Sequence, residues 1–192
     1  MMSRAAAVHV IAALCLGIPG VVQAAYDGEL AVAAGPDYGV APLGSRRIAG
    51  FGGGAELMYG LNDELTLSVG GHWVDHPADE GSTPFEVAYS ALGVRYAIDV
   101  LSVTPYVRAD AASYLRRPDG PAAGAFSDWS VQGAVGLDWR AWESSGLAVE
   151  VRFHDMLARF SDRPAYVTLW ISASWVFARV GEAPRAPDGS GT

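Results

Sequence analysis

The stretch YVTLWISASWVF, residues 166–177, places an apolar side chain at every second position: Val167, Leu169, Ile171, Ala173, Trp175 and Phe177. A period of two is the mark of a β-strand with unlike faces. The pattern recurs along the chain. Leu147, Val149, Val151 and Phe153 share one face, opposite Ala148, Glu150, Arg152 and His154. Trp129, Val131, Val135, Leu137 and Trp139 oppose Ser130, Gln132, Asp138 and Arg140. Leu65, Leu67, Val69 and Trp73 oppose Thr66, Ser68 and His72, and Val103, Val107, Ala109 and Ala111 oppose Thr104, Tyr106, Arg108 and Asp110. Helical periodicity is weak throughout.

Eight strands follow from this pattern, near 28–35, 49–60, 64–74, 85–98, 102–114, 128–140, 146–157 and 165–177. Three connectors, 61–63, 99–101 and 143–145, are tight. The other four, 36–48, 75–84, 115–127 and 158–164, are longer and rich in loop residues, Pro36, Pro42, Pro77, Pro84, Pro118, Pro121 and Pro164 among them. The two classes alternate, as the two rims of an up-and-down barrel require. In 85–98 the apolar phase changes between Phe85, Val87, Tyr89 and Leu92, Val94, Tyr96, Ile98. That change predicts a β-bulge near Ser90–Ala91 and leaves the facing of Glu86 open. Glycines inside strands, such as Gly52, Gly53, Gly54, Gly70 and Gly93, suit tight curvature.

The polar faces decide which side is inside. A small soluble barrel fills its interior with large apolar side chains. Here the polar face carries acids and arginines in strand after strand, and Trp and Tyr cluster near strand ends. Apolar outside, polar inside and aromatic at the rims is the pattern of a barrel in lipid. The reading is an all-β, eight-stranded antiparallel up-and-down transmembrane β-barrel.

The N-terminus reads as a secretory signal, residues 1–24: Arg4, then a run from Ala5 to Leu16 that is apolar apart from His9 and is broken by Gly17, Pro19 and Gly20, then Val22-Gln23-Ala24. The run is short for the ~20 residues that a membrane helix needs. Cleavage after Ala24 removes Cys15, the single cysteine, and so removes disulfide and thiolate chemistry. It also leaves 12 arginines against 21 acidic residues, a formal charge of −9. An acidic chain offers nucleic acid no electrostatic footprint. The barrel domain is expected over 25–177, and the Pro/Gly/Ala/Asp-rich tail 178–192 is expected to be disordered.

With the strands in place, the chain resembles the small outer-membrane β-barrels of Gram-negative bacteria, the OmpA/OmpX/OmpW-like group. The resemblance covers residues 26–177. It rests on the signal segment, on GLNDELTLSVGG as turn plus strand, on SALGVRYAI and VTPYVRADAASY as a strand pair, and on the final strand. It implies an integral, monomeric outer-membrane protein without cofactor, in contact with lipid and lipopolysaccharide. It also implies an assembly signal for the barrel assembly machinery, matched by Phe177 and Trp175.

Nine inward charges form the main constellation: Glu29, Glu56, Arg95, Arg108, Asp110, Asp138, Arg140, Glu150 and Arg152. In a narrow lumen they should pair, because an unpaired desolvated charge is costly. Eight strands leave room only for side chains, so a closed plug is expected, with a structural or surface-interaction role. The alternative is a narrow passive channel for small or hydrophobic solutes. Arg46-Arg47 and Arg116-Arg117, expected in outer loops, suit bidentate contacts to lipopolysaccharide phosphates. His72, Asp75 and His76 are read as a solvated rim, and no metal site is assigned. His154, Asp155 and Ser161 invite a lipid A-modifying enzyme, but adjacent strand residues point to opposite faces, and no enzyme is expected.

Overall fold

The computed structural model describes residues 27–43, 46–78, 84–98, 103–118, 126–142, 144–156 and 166–180. The signal segment and nearly all of the tail lie outside the described residues, so the domain boundaries there stand as expectations. Eight strands run in chain order: β1 (Glu29–Leu43), β2 (Arg46–Gly60), β3 (Leu65–His76), β4 (Phe85–Ala97), β5 (Thr104–Pro118), β6 (Phe126–Trp142), β7 (Ser145–Met156) and β8 (Tyr166–Arg179). Each pairs antiparallel with the next, and β1 pairs with β8, closing the barrel. Closure satisfies every strand edge, a requirement where no water is present to do so.

The side-chain alternation sorts as the sequence leads one to expect. Val69, Leu92, Val107, Val131, Val135, Leu137, Val149 and Ile171 are exposed on the outer wall. Phe51, Trp73, Trp129 and Phe153 girdle one end of it, and Tyr96, Trp142, Trp175 and Phe177 the other. Trp129 and Trp139 stand ten residues apart on β6; at ~3.3 Å per residue and a ~40° tilt, that spans about 25 Å along the axis, the height of an apolar membrane band. The interior carries Glu56, Arg108, Glu150, Arg152, Gln132 and Thr168, all buried.

Four expectations need correction. The first outer connector is not 36–48: β1 runs on through Pro36 and Pro42 to Leu43, and β2 begins at Arg46. Pro36 is tolerated because the β1–β8 ladder has no partner for Gly35 or Pro36, so no ladder bond is lost there. Nor are the two arginine pairs in loops. Arg46 and Arg47 begin β2, and Arg116 and Arg117 belong to β5.

The third correction concerns β4. It carries no bulge at Ser90–Ala91: its pairing with β3 and β5 runs without a shift, and burial alternates strictly from Phe85 to Ala97. What changes is the chemistry of the inner face, from Phe85, Val87 and Tyr89 above to Gly93 and Arg95 below. Glu86 therefore faces outward. The register shifts lie elsewhere, at Leu30/Ala31 against β8 and at Trp139/Trp142 against β7. Finally, β8 continues to Arg179, two residues into the segment assigned to the tail.

Candidate functional site in the barrel lumen

The lumen is filled in three tiers. At the end where β1 starts, Arg140 Nη2 donates to Glu29 Oε2 at 2.9 Å, and Arg179 Nη2 lies 3.1 Å from Glu29 Oε1. Arg95 pairs closely with Asp138, and its guanidinium lies 3.9 Å from the centre of the Tyr106 ring. This pair spans β4 and β6, which are not neighbours in the wall.

The middle tier is built around Glu56. Arg108 Nη1 donates to Glu56 Oε2 at 2.6 Å and Arg152 Nη2 to Glu56 Oε1 at 2.9 Å. Arg108 Nε donates to Asp110 at 2.7 Å, and Arg152 pairs closely with Glu150. Arg152 is fully buried. Its head is also held 2.8 Å from His72 Nε2 and 4.5 Å over the Trp170 ring. His72 Nδ1 lies 2.6 Å from Asp37 Oδ2, and Nε2 lies 3.0 Å from Glu56 Oε1 as well as beside Arg152, so the ring bridges both carboxylates. The His72 ring stacks on Tyr89 at 4.9 Å. Gly54, directly opposite His72 in the β2–β3 register, makes this possible, because a methyl there would collide with the imidazole.

All nine charges singled out from the sequence lie on the inner wall, and each enters an ion pair. Asp37 and His72 complete the network. Asp37 was hidden because Pro36-Asp37 looks like a turn, although its spacing of eight from Glu29 puts both on one strand face. His72 and His76 are buried, not a solvated rim, and Asp75 lies on the opposite face of β3. Among the described residues no cluster of three or more such ligands is placed to hold a metal ion.

The third tier is one that pattern reading missed. Its inner face is apolar and aromatic: Ile48, Phe85, Val87, Tyr89, Ala91, Ala112, Tyr114 and Tyr166 pack together. His76 stacks on Phe85 at 4.4 Å, and the Arg116 guanidinium lies 4.1 Å from the same ring, so Arg116 turns inward. A short polar relay crosses this tier. Gln132 Nε2 donates to Tyr114 Oη at 3.1 Å, Tyr114 bonds His154 Nδ1, and His154 Nε2 lies 3.0 Å from Thr168 Oγ1. His154 and Asp155 face opposite sides of the wall, and Ser161 lies outside the described residues. Arg47 and Arg117 are exposed on the outer face, while the Arg46 side chain lies outside the described residues. Trp175 and Phe177 project outward from the last strand.

Between the lowest and middle tiers a cavity of ≈10 Å³ remains, lined by Glu56, Arg95, Arg108 and Trp170 among others. That is about the room one water occupies.

No protein-family model and no curated protein matches the chain. Solved structures do. The chain is similar to Neisserial surface protein A at 15% identity and a TM-score of 0.66, covering 77% of this chain and 96% of that one. It is similar to Ail, the attachment invasion locus protein of Yersinia pestis, crystallised with the heparin analogue sucrose octasulfate (11% identity, TM-score 0.59, 79% and 99% covered). It is also similar to OprG of Pseudomonas aeruginosa (13%, TM-score 0.59, 81% and 99%). The fold is that of the small outer-membrane barrels. With its girdled apolar exterior and closed ladder, this chain is an integral membrane barrel of the outer-membrane type.

Proposed function

We propose that the protein serves the outer membrane as a closed barrel, a structural element of the envelope that presents its outer rim to the surroundings, and that it is neither an enzyme nor an open pore. The observation that carries this reading is the filled lumen: two tiers of paired charge beneath an aromatic tier, with ≈10 Å³ left between the charged tiers. A buried network of this kind is costly to disturb, since removing one partner strands another charge in a dry interior. Purified protein in planar lipid bilayers is expected to give no reproducible open channel. Steady conductance, or uptake of small or hydrophobic solutes that depends on the protein, would favour the narrow channel instead.

Lipopolysaccharide is the lipid that the rim arginines would meet. Arg47 and Arg117 point outward from β2 and β5, whereas Arg116 is engaged with Phe85. Arg47→Gln with Arg46→Gln should then weaken lipopolysaccharide binding, and unchanged affinity would exclude the contact. Trp175 and Phe177 are proposed as the signal read by the assembly machinery, testable by the folded yield of Phe177→Ala in cells.

A further inference from the structure

Three neighbouring strands converge on the cavity between the lowest and middle tiers: β3 with Ser68, β4 with Arg95 and β5 with Arg108. Arg95 and Arg108 stand directly opposite each other in the β4–β5 register, an unfavourable placement for two like charges. Their acids lie to either side. Arg95 turns to Asp138, and Arg108 turns to Glu56 and Asp110. Donors are left over. Among the described residues, Arg95 Nε, Arg108 Nη2 and Ser68 Oγ have no hydrogen-bond partner, although Arg95 is 8%, Arg108 6% and Ser68 3% exposed. Polar groups buried to this degree are paired with protein or with ordered water, and a charged donor left dry costs more than a neutral one. Gly93, opposite Ser68 in the β3–β4 register, adds no side chain to the space.

We propose that this cavity is a binding site for a single water molecule, which accepts from Arg108 Nη2 and Arg95 Nε and donates to Ser68 Oγ and to a carboxylate oxygen of Glu56 or Glu150. Size and charge select the ligand. A volume of ≈10 Å³ admits about one water and nothing larger. The lining carries two acids, Glu56 and Glu150, and two arginines, Arg95 and Arg108. An anion there would face both carboxylates, and a cation would face both guanidiniums. A neutral molecule that both gives and takes hydrogen bonds fits all four. Buried waters make about three hydrogen bonds each, and the unpartnered atoms of Arg95, Arg108 and Ser68 supply that number. The bound water joins the Arg95–Asp138 pair to the network around Glu56 and separates the two guanidiniums. The site depends on the closed lumen proposed above, since a lumen open to solvent would hold a column of water in place of one bound molecule.

Crystals of the protein soaked in bromide identify the ligand. One density peak within hydrogen-bond distance of Ser68 Oγ and Arg108 Nη2, without anomalous scattering, is the expected result. In solution, deuteron relaxation dispersion of the detergent-solubilised protein counts long-lived internal waters. Ser68→Val puts a methyl group into the cavity and should remove one such water relative to the parent. It should also raise the unfolding constant roughly tenfold to a hundredfold, because the water leaves and the guanidinium N–H groups stay dry. A void that holds nothing gives the opposite sign, since the valine would fill it and delete an unpaired hydroxyl, which stabilises. Should Ser68→Val not fold, the parent crystals decide alone. Bromide in the cavity, no density there, or an unchanged dispersion with a more stable Ser68→Val would overturn the proposal. A continuous file of waters through the lumen would overturn the closed barrel and the site with it, whereas a dry cavity in a filled lumen overturns the site alone.

Discussion

Arg108 Nη1 donates to Glu56 Oε2 at 2.6 Å, although β5 and β2 are separated in the wall by β3 and β4. The bond crosses the lumen. Arg152 reaches the other carboxylate oxygen from β7 at 2.9 Å, so one side chain ties three strands across the axis. Replacing Glu56 by Gln keeps the shape and removes the charge, leaving Arg108 and Arg152 with only Asp110 and Glu150. A buried pair broken on one side costs about 3–5 kcal/mol. Urea unfolding followed by gel mobility should show Glu56→Gln less stable by that order.

The same variant should not open the barrel. Above Glu56 lies the aromatic tier of Ile48, Phe85, Tyr89 and Tyr166, which meets the charge network at Tyr89, stacked on His72, and packs above it through Ile48, Phe85 and Tyr166. Two seals in series predict a logical AND. Glu56→Gln alone and Phe85→Ala alone should each leave planar bilayers silent. Glu56→Gln combined with Phe85→Ala and Ile48→Ala should produce small steady conductance. A current from Glu56→Gln alone would mean that the upper tier does not seal.

The contrast between these tiers also marks what the sequence made legible. Period-two alternation depends only on local geometry, so β3, β5, β6, β7 and β8 and the inward facing of Glu150 and Arg152 could be read directly. The upper tier could not. Phe85, Val87 and Tyr89 are apolar on the inner face while Leu92, Val94 and Tyr96 are apolar on the outer face, and a period-based reading interprets that as a phase slip. The strand keeps its phase; the lumen changes character with depth. The length of β1 was obscured in a similar way, because Pro36 and Pro42 mimic a loop when the gap in the β1–β8 ladder is unknown.

Gly54 is a packing requirement that the sequence hints at and the structure explains. It sits opposite His72, whose ring occupies the space a side chain would take. Gly54→Ala should push His72 off Asp37 and Arg152 and lower stability by about 1–3 kcal/mol, the usual cost of overpacking. Gly133 lies on β6, and a methyl group added there would meet nothing within 4 Å. Gly133→Ala should therefore be neutral to slightly stabilising, since alanine replaces a flexible residue in an extended strand. Equal losses at both positions, read by unfolding midpoint, would show that strand glycine as such is what matters.

The outer wall gives the sharpest test of the medium around the barrel. Val135 lies midway along β6, faces outward and is 53% exposed. On a soluble protein an arginine at such a position would change stability by no more than about 0.5 kcal/mol. In a bilayer the same guanidinium must enter hydrocarbon, at a cost of about 2–4 kcal/mol near the midplane that declines toward the interfaces. Val135→Arg should therefore destabilise the barrel in lipid vesicles far more than Trp142→Arg, which lies in the girdle at the end of the same strand. The dependence on depth is the deciding feature. A loss of packing would follow the size of the residue removed and would make the tryptophan replacement the worse of the two, whereas lipid makes the valine replacement the worse.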